Sequence, residues 1–232
     1  IDISSSASVA STGAAALTLT GIGGTGAVGI YNSTTAATIG GASHTGNTVL
    51  TANNATWGSL AIQTTGSVTF QPYTASTTIG VAGGAGTLGI TAAILGATTA
   101  GSLIIGRSDG SGLMTVNART WTAPVSLYNG NANISLNGAQ VMGARTFLAR
   151  THGTGDIAIA AASTITSTAT GNAIILASGH NFINAGGTSP LTAASGRWLI
   201  YSTNPASDTP GGMTSSFRRF SCSYGGSCPS IP

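Results

Sequence analysis

Short strings of Val, Ile, Leu, Thr and Ala recur along this chain, separated by Gly, Asn and Ser, and almost no charge interrupts them. Ala16-Leu17-Thr18-Leu19-Thr20, Ser67-Val68-Thr69-Phe70-Gln71, Asn133-Ile134-Ser135-Leu136-Asn137 and Asp156-Ile157-Ala158-Ile159-Ala160 show the pattern. Each alternates an apolar residue with a small or polar one, the period-two signature of a strand. Their centres fall near Leu19, Gly29, Ile39, Leu50, Ala61, Thr69, Ile79, Gly89, Ile104, Thr115, Ser126, Ser135, Phe147, Ala158, Ile165, Ile174, Phe182 and Leu199. Even spacing of about 8–12 residues marks an all-β chain. So many strings exceed what a sandwich uses, and self-similarity at a fixed step is the sign of a repeat fold. Gly and Asn recur at the breaks (Gly40-Gly41, Asn53-Asn54, Gly83-Gly84, Asn137-Gly138, Gly186-Gly187), where a corner needs positive φ. Thr91 to Ala97 is the one expected helical insertion.

The chain has no Lys and no Glu; its charges are four Asp and seven Arg among 232 residues. In a coiled stack, equivalent positions lie about 4.8 Å apart, so a repeated charge would face its own sign. Stacked Thr, Ser and Asn exchange hydrogen bonds instead, and stacked Val, Ile and Leu bury one another. The expectation is a parallel β-helix over residues 1–202, with two or three strings per coil and about ten coils. An irregular tail over residues 203–232 would follow.

The same composition excludes other classes. Net charge is only +3 and the Arg residues are scattered apart from Arg218-Arg219, too dilute for nucleic acid. No stretch reaches the roughly 18 uninterrupted apolar residues of a membrane helix. The chain begins at Ile1 without Met or a signal peptide, so it is expected to be either a mature product or a piece of something longer.

Candidate chemistry is sparse. Gly21-Ile22-Gly23-Gly24-Thr25-Gly26 matches G-x-G-x-x-G, but the helix and acid that a dinucleotide site needs do not follow. His152 and Asp156 flank a glycine loop, while His44 and His180 are expected to have no nearby acid or thiol, so no metal site is expected. With Glu absent, Asp109 and Asp156 are the sole interior carboxylates for acid–base cleavage of a glycoside, and no catalytic pair is expected. No cofactor is implied.

The C-terminal stretch differs. Trp198, Tyr201, Phe217, Arg218, Arg219, Phe220 and Tyr224 crowd together after a chain poor in aromatics. They read either as a cap over the last coil's open edge or as an arm that docks on a neighbouring subunit. Cys222 and Cys228 bracket Ser-Tyr-Gly-Gly-Ser. In an oxidising compartment they would pair and close a small loop; the alternative is two free thiols.

Three stretches resemble very large bacterial exoproteins of the filamentous-haemagglutinin-like class, adhesins exported by a two-partner or related route. They are Thr69 to Leu127 (TFQPYTASTTIGVAGGAGTL, SLIIGRSDGSGLMTVN, APVSL), then GRWLIYS at Gly196–Ser202 with Asn204-Pro205, then FRRFSCSYGGSCP at Phe217–Pro229. Residues before Thr69 share only the texture. The resemblance implies a right-handed β-helix, a secreted or cell-surface location, and adhesive or scaffolding work without catalysis. Partners would be further domains of the same chain, a second copy stacked end to end, or a host-surface or matrix polysaccharide. No N-terminal secretion domain of the two-partner type is visible, so a fragment and a small self-assembling fibre subunit are both expected possibilities. A carbohydrate-active β-helix is the weaker alternative.

Overall fold

A computed structural model describes residues 1–3, 7–23, 28–33, 36–219 and 222–226. Among these residues the chain is all-β, with a single five-residue helix, Ala92–Gly96. Every strand pairing is parallel. One sheet runs the length of the described structure. Its eight strands are Leu17–Gly21, Thr48–Ala52, Ser67–Gln71, Ser102–Gly106, Val125–Tyr128, Phe147–Arg150, Gly171–Ala177 and Gly196–Tyr201, neighbours in that order. Eight rungs replace the ten coils expected from string spacing, because some coils hold long turns and one holds an insertion.

The register explains why the strings alternate. Leu50, Phe70, Ile105, Leu127, Ala149, Leu176 and Ile200 lie directly beside one another on successive rungs and face inward. Phe70, Ile105, Leu127, Ala149 and Leu176 are fully buried. Burying each large side chain contributes about 1.5–3 kcal/mol before entropy. Thr69, Ile104, Ser126, Leu148, Ile175 and Leu199 form the adjacent outward file. A one-residue slip would turn the apolar files to solvent, so the register is strongly specified.

Flanking sheets change partway along. Ahead of the helix the chain also builds a two-stranded sheet (Ile30–Tyr31, Ala55–Thr56) and most of a four-stranded one (Ser8–Val9, Ala36–Gly40, Ser59–Gln63), which Thr98–Thr99 closes just after the helix. After it, the flanks are a six-stranded sheet ending in Met114–Val116, Ile134–Leu136, Ile157–Ile159 and Phe182–Asn184, and a four-stranded one (Arg119–Thr120, Gln140–Val141, Ile165–Ser167, Leu191–Ala193).

The six-stranded sheet begins unusually. Leu88–Ile90 pairs in parallel with Ile79–Val81, only a short glycine-rich turn earlier. Parallel neighbours normally need a crossover of a dozen residues or more. Here Gly80 and Gly84 allow the turn to close, since a Cβ at Gly80 would lie 2.0 Å from the Gly84 carbonyl oxygen. The helix follows at once; the Thr91 hydroxyl accepts from the Ile94 N–H, and Ile94 and Leu95 are buried. The excursion supplies the extra residues of the longest coil.

Candidate functional site

Chemistry-bearing side chains collect on the outer surface of the eight-stranded sheet and at the turn beside it. The second outward file reads Thr51, Gln71, Gly106, Tyr128, Arg150, Ala177, Tyr201. It has two positions too small to fill their rung, Gly106 and Ala177.

At Gly106 the backbone turns with φ +92°, and a Cβ there would lie 2.1 Å from the Tyr128 carbonyl oxygen. The glycine is required by the strand end, and beside it the outer surface holds an open cleft of about 460 Å3. Thr69 and Ile104 floor the cleft, Gln71 and Tyr128 flank it, and the Arg107–Asp109 turn forms its lip. Arg107 makes four hydrogen bonds. Its Nε and Nη2 donate to the two Asp109 carboxylate oxygens at 2.6 and 2.8 Å, and Nη1 donates to the carbonyls of Pro72 and Tyr73. Those hydrogen bonds from Arg107 hold the Asp109 carboxyl below the usual carboxylate range and raise the guanidinium. The Asp109 side chain stays 66% exposed, with acceptor capacity left over.

At Ala177 the gap is filled. The ring of Tyr224 meets the Tyr201 ring at 5.6 Å between centroids, and the Arg150 guanidinium lies 5.0 Å from the Tyr224 ring centre. Arg150 and Tyr201 are the rungs on either side of Ala177. The alanine is consequently buried although it faces outward.

The neighbouring turn is held by a polar column. Asn133 accepts from the Asp156 N–H at 2.8 Å, and Asp156 accepts from the Asn181 N–H at 2.9 Å through one carboxylate oxygen. That same oxygen is 2.8 Å from His180 Nδ1. The expectation that His180 lacks an acid is corrected: the acid comes from the preceding coil. Asp208 accepts from the Phe182 N–H and from the Ser202 hydroxyl. His152 does not join Asp156, and among the described residues no three His, Cys, Asp or Glu side chains form a group that could hold a metal. Asp109 is held by Arg107 and Asp156 by the turn, on coils two rungs apart. His44 is buried against the Thr48 hydroxyl at 3.2 Å.

The aromatic and basic cluster divides. Trp198 and Tyr201 belong to the last strand of the long sheet, Trp198 in the inward file and Tyr201 in the outward one. Tyr224 returns to that outer surface, and Arg150, which the sequence reading did not include, completes the contact. Phe217 is 53% exposed, and Arg218 and Arg219 are exposed as well. Phe220 and Cys228 lie outside the described residues, as do Gly24 to Gly26 of the glycine motif, so the Cys222–Cys228 pairing remains an expectation. Part of the tail does meet an edge: Thr209 bridges Ile183 of the six-stranded sheet, donating to the Phe182 carbonyl and accepting from the Asn184 N–H.

Comparison with family models, with curated proteins and with solved structures finds no match. No helix of the described residues is long and apolar enough to cross a membrane.

Proposed function

We propose that this chain is a section of a right-handed parallel β-helix in a secreted or cell-surface bacterial exoprotein of the filamentous-haemagglutinin-like type. There it does structural and adhesive work without catalysis. The observation that carries the reading is the eight-rung sheet, whose first and last strands, Leu17–Gly21 and Gly196–Tyr201, each have a hydrogen-bonded strand on one side only among the described residues. A parallel edge of this kind is a template for the next rung. Further coils of the same long chain would extend it, and the outer surface would stay free to touch a ligand. The Cys222–Cys228 disulfide belongs to the same reading, as a feature of an oxidising compartment.

A second reading draws on the same two edges. Copies stacked head to tail would form a fibre, because heterologous contacts that do not close propagate. Electron microscopy of the native extracellular material separates the two. Eight rungs at about 4.8 Å give a unit roughly 38 Å long. Isolated rods fixed to cells at one end are expected of an adhesin. Continuous filaments with an axial repeat near the unit length would establish the fibre subunit instead. Material that is neither rod nor filament would overturn both.

A further inference from the structure

We propose that the notch at Gly106 binds a pyranose ring of a neutral polysaccharide, with Tyr128 as the stacking platform and Gln71 and Asp109 as hydrogen-bonding partners. The inference deepens the adhesive reading above and rests on it for the biological source of the ligand. The notch itself is defined by the register of the sheet.

Size comes first. At about 460 Å3 the cleft falls in the range of small-molecule sites, roughly 300–1,000 Å3. The molecule also displays what a gap in this file accepts. Two rungs beyond Tyr128, the gap above Ala177 takes the ring of Tyr224 between Arg150 and Tyr201. A one-residue gap flanked by long side chains is thus wide enough for a six-membered ring. At Gly106 none of the described residues is seated in that way, and the cleft is open.

The chemistry of the lining selects the ring. Around the Ala177 gap the neighbours are a guanidinium and a phenol ring, which suit an aromatic guest. Around the Gly106 gap they are the Gln71 amide, the Thr69 hydroxyl, Ser108 and the exposed carboxylate of Asp109, beside one aromatic ring. Several convergent polar groups next to an aromatic face match a guest with an apolar face and a hydroxyl rim, as a pyranose has. The site is ordered in advance, because Arg107 clamps Asp109 bidentately while tying the Pro72 and Tyr73 carbonyls to the same turn. Preorganisation of this kind lowers the entropy lost on binding. Charge decides between neutral and acidic sugars. Arg107 is already neutralised, and an outward carboxylate at Asp109 repels an anionic chain. A stacked fold that carries only four Asp places one of them at the lip of its notch.

The test titrates the intact chain with cellohexaose and, separately, maltohexaose, following binding by calorimetry and by NMR shifts of the Tyr128 ring. Saturable binding of at least one oligosaccharide is expected. Tyr128→Ala should weaken it about tenfold, the loss of one well-placed contact, and Gln71→Ala severalfold, while Tyr128→Phe retains it. If Tyr128→Ala proves unfolded by circular dichroism, Gln71→Ala against Tyr128→Phe carries the comparison. Absence of saturable binding by wild-type protein at millimolar sugar overturns the proposal. So does equal affinity of wild type, Tyr128→Ala and Gln71→Ala. So does a concentration-dependent dimer that Tyr128→Ala abolishes, which would give the notch to a second copy. The adhesive reading fails separately: sugar binding by the purified chain, with no attachment by cells displaying the exoprotein, removes adhesion and leaves the site. Attachment unchanged by Tyr128→Ala does the reverse.

Discussion

Between Leu19 and Ile105 the inward file of the long sheet advances by unequal steps, 31 residues to Leu50, 20 to Phe70 and 35 to Ile105. From Ile105 onward the steps are 22 to Leu127 and 22 to Ala149, then 27 to Leu176 and 24 to Ile200. The two regions share one sheet and solve their corners differently. Near-equal coils bring like positions into line, so one small set of side chains serves each turn in succession. Asn129, Thr151 and Ser178 follow the strand on three consecutive rungs, all buried, each donating to a carbonyl three or four residues ahead, those of Asn133, Gly155 and Asn181. Asn133, Asp156 and Asn181 form a second column a few residues further on, in the opposite sense: the Asn133 amide oxygen accepts from the Asp156 N–H, and the Asp156 carboxylate accepts from the Asn181 N–H.

Among the described residues the unequal coils make such contacts locally rather than in columns of three: Thr64 donates to the His44 and Gly46 carbonyls, and the Asn53 oxygen accepts from the Thr74 N–H and the Thr77 hydroxyl. Asn32 donates to the Ile3 carbonyl, and its own oxygen accepts from the Ser59 N–H. The Trp57 indole N–H donates to the Gly89 carbonyl at 2.6 Å. Regular coil length is therefore a form of stabilisation in its own right: it makes polar satisfaction repeatable.

The sharpest way to break the comparison is Trp57→Ala. Trp57 is buried, meets Phe70 edge-on at 5.5 Å, and ties the early rungs to the strand Leu88–Ile90. Removing a buried aromatic of this kind costs about 3–5 kcal/mol. Hydrogen exchange should then show lost protection in the strands up to Gln71, with the strands from Val125 onward still protected. Stacked repeats contact only their neighbours, which permits such partial opening. Equal loss throughout would mean one cooperative unit and would dissolve the distinction.

A smaller effect sharpens it from the regular side. Asn181 is neutral and lies between Asp156, which accepts from its N–H, and Asp208, which accepts from the N–H of Phe182. Asn181→Asp inserts a third carboxylate. Adjacent like charges in a sheet destabilise by roughly 0.2–1 kcal/mol, so thermal stability at pH 7 should fall and recover in high salt. No salt dependence would show that columns tolerate repeated charge and that the scarcity of charge has another origin.

All the string centres named from the sequence fall in strands except Gly29, which abuts Ile30–Tyr31, and the expected helix is there with Thr91 as its cap. Period-two alternation over five residues is a strong signal, and those strands carry it. The missed strands, such as Ala55–Thr56, Thr98–Thr99, Gln140–Val141 and Leu191–Ala193, are two or three residues long and hold too few positions for a period. The pairing of Ile79–Val81 with Leu88–Ile90 was hidden for a different reason, since such a short parallel return runs against the usual crossover rule. Contacts between coils were the least visible. His180 meets Asp156, and Arg150 meets Tyr224, only because particular coils have particular lengths. One clue was available: Gly106, Tyr128 and Arg150 stand 22 residues apart, a step that would have placed them in one file and exposed the notch.

The smallest expected effect concerns pH and belongs to the regular region. Burial, and next the nearby Arg150 charge, lower the His152 imidazole below its ordinary 6.5. The folded state thus favours the neutral ring, while the unfolded chain takes up its proton first as pH falls. With more protons bound in the unfolded state, stability declines as pH drops from above 6.5 and the loss is complete below the folded-state value. Arg150 also holds the Tyr224 ring, so the charge that disfavours His152 protonation is the one that seats the tail. Thermal unfolding at pH 7.5 and pH 5 should show wild type losing slightly more than His152→Gln, by no more than about a degree because solvent screens a partly exposed ring. The difference between the two proteins isolates His152 from the His180–Asp156 pair, which both retain. An identical pH response in both would mean that the ring is solvated in solution and that the turn beside Arg150 opens more readily than its columns imply.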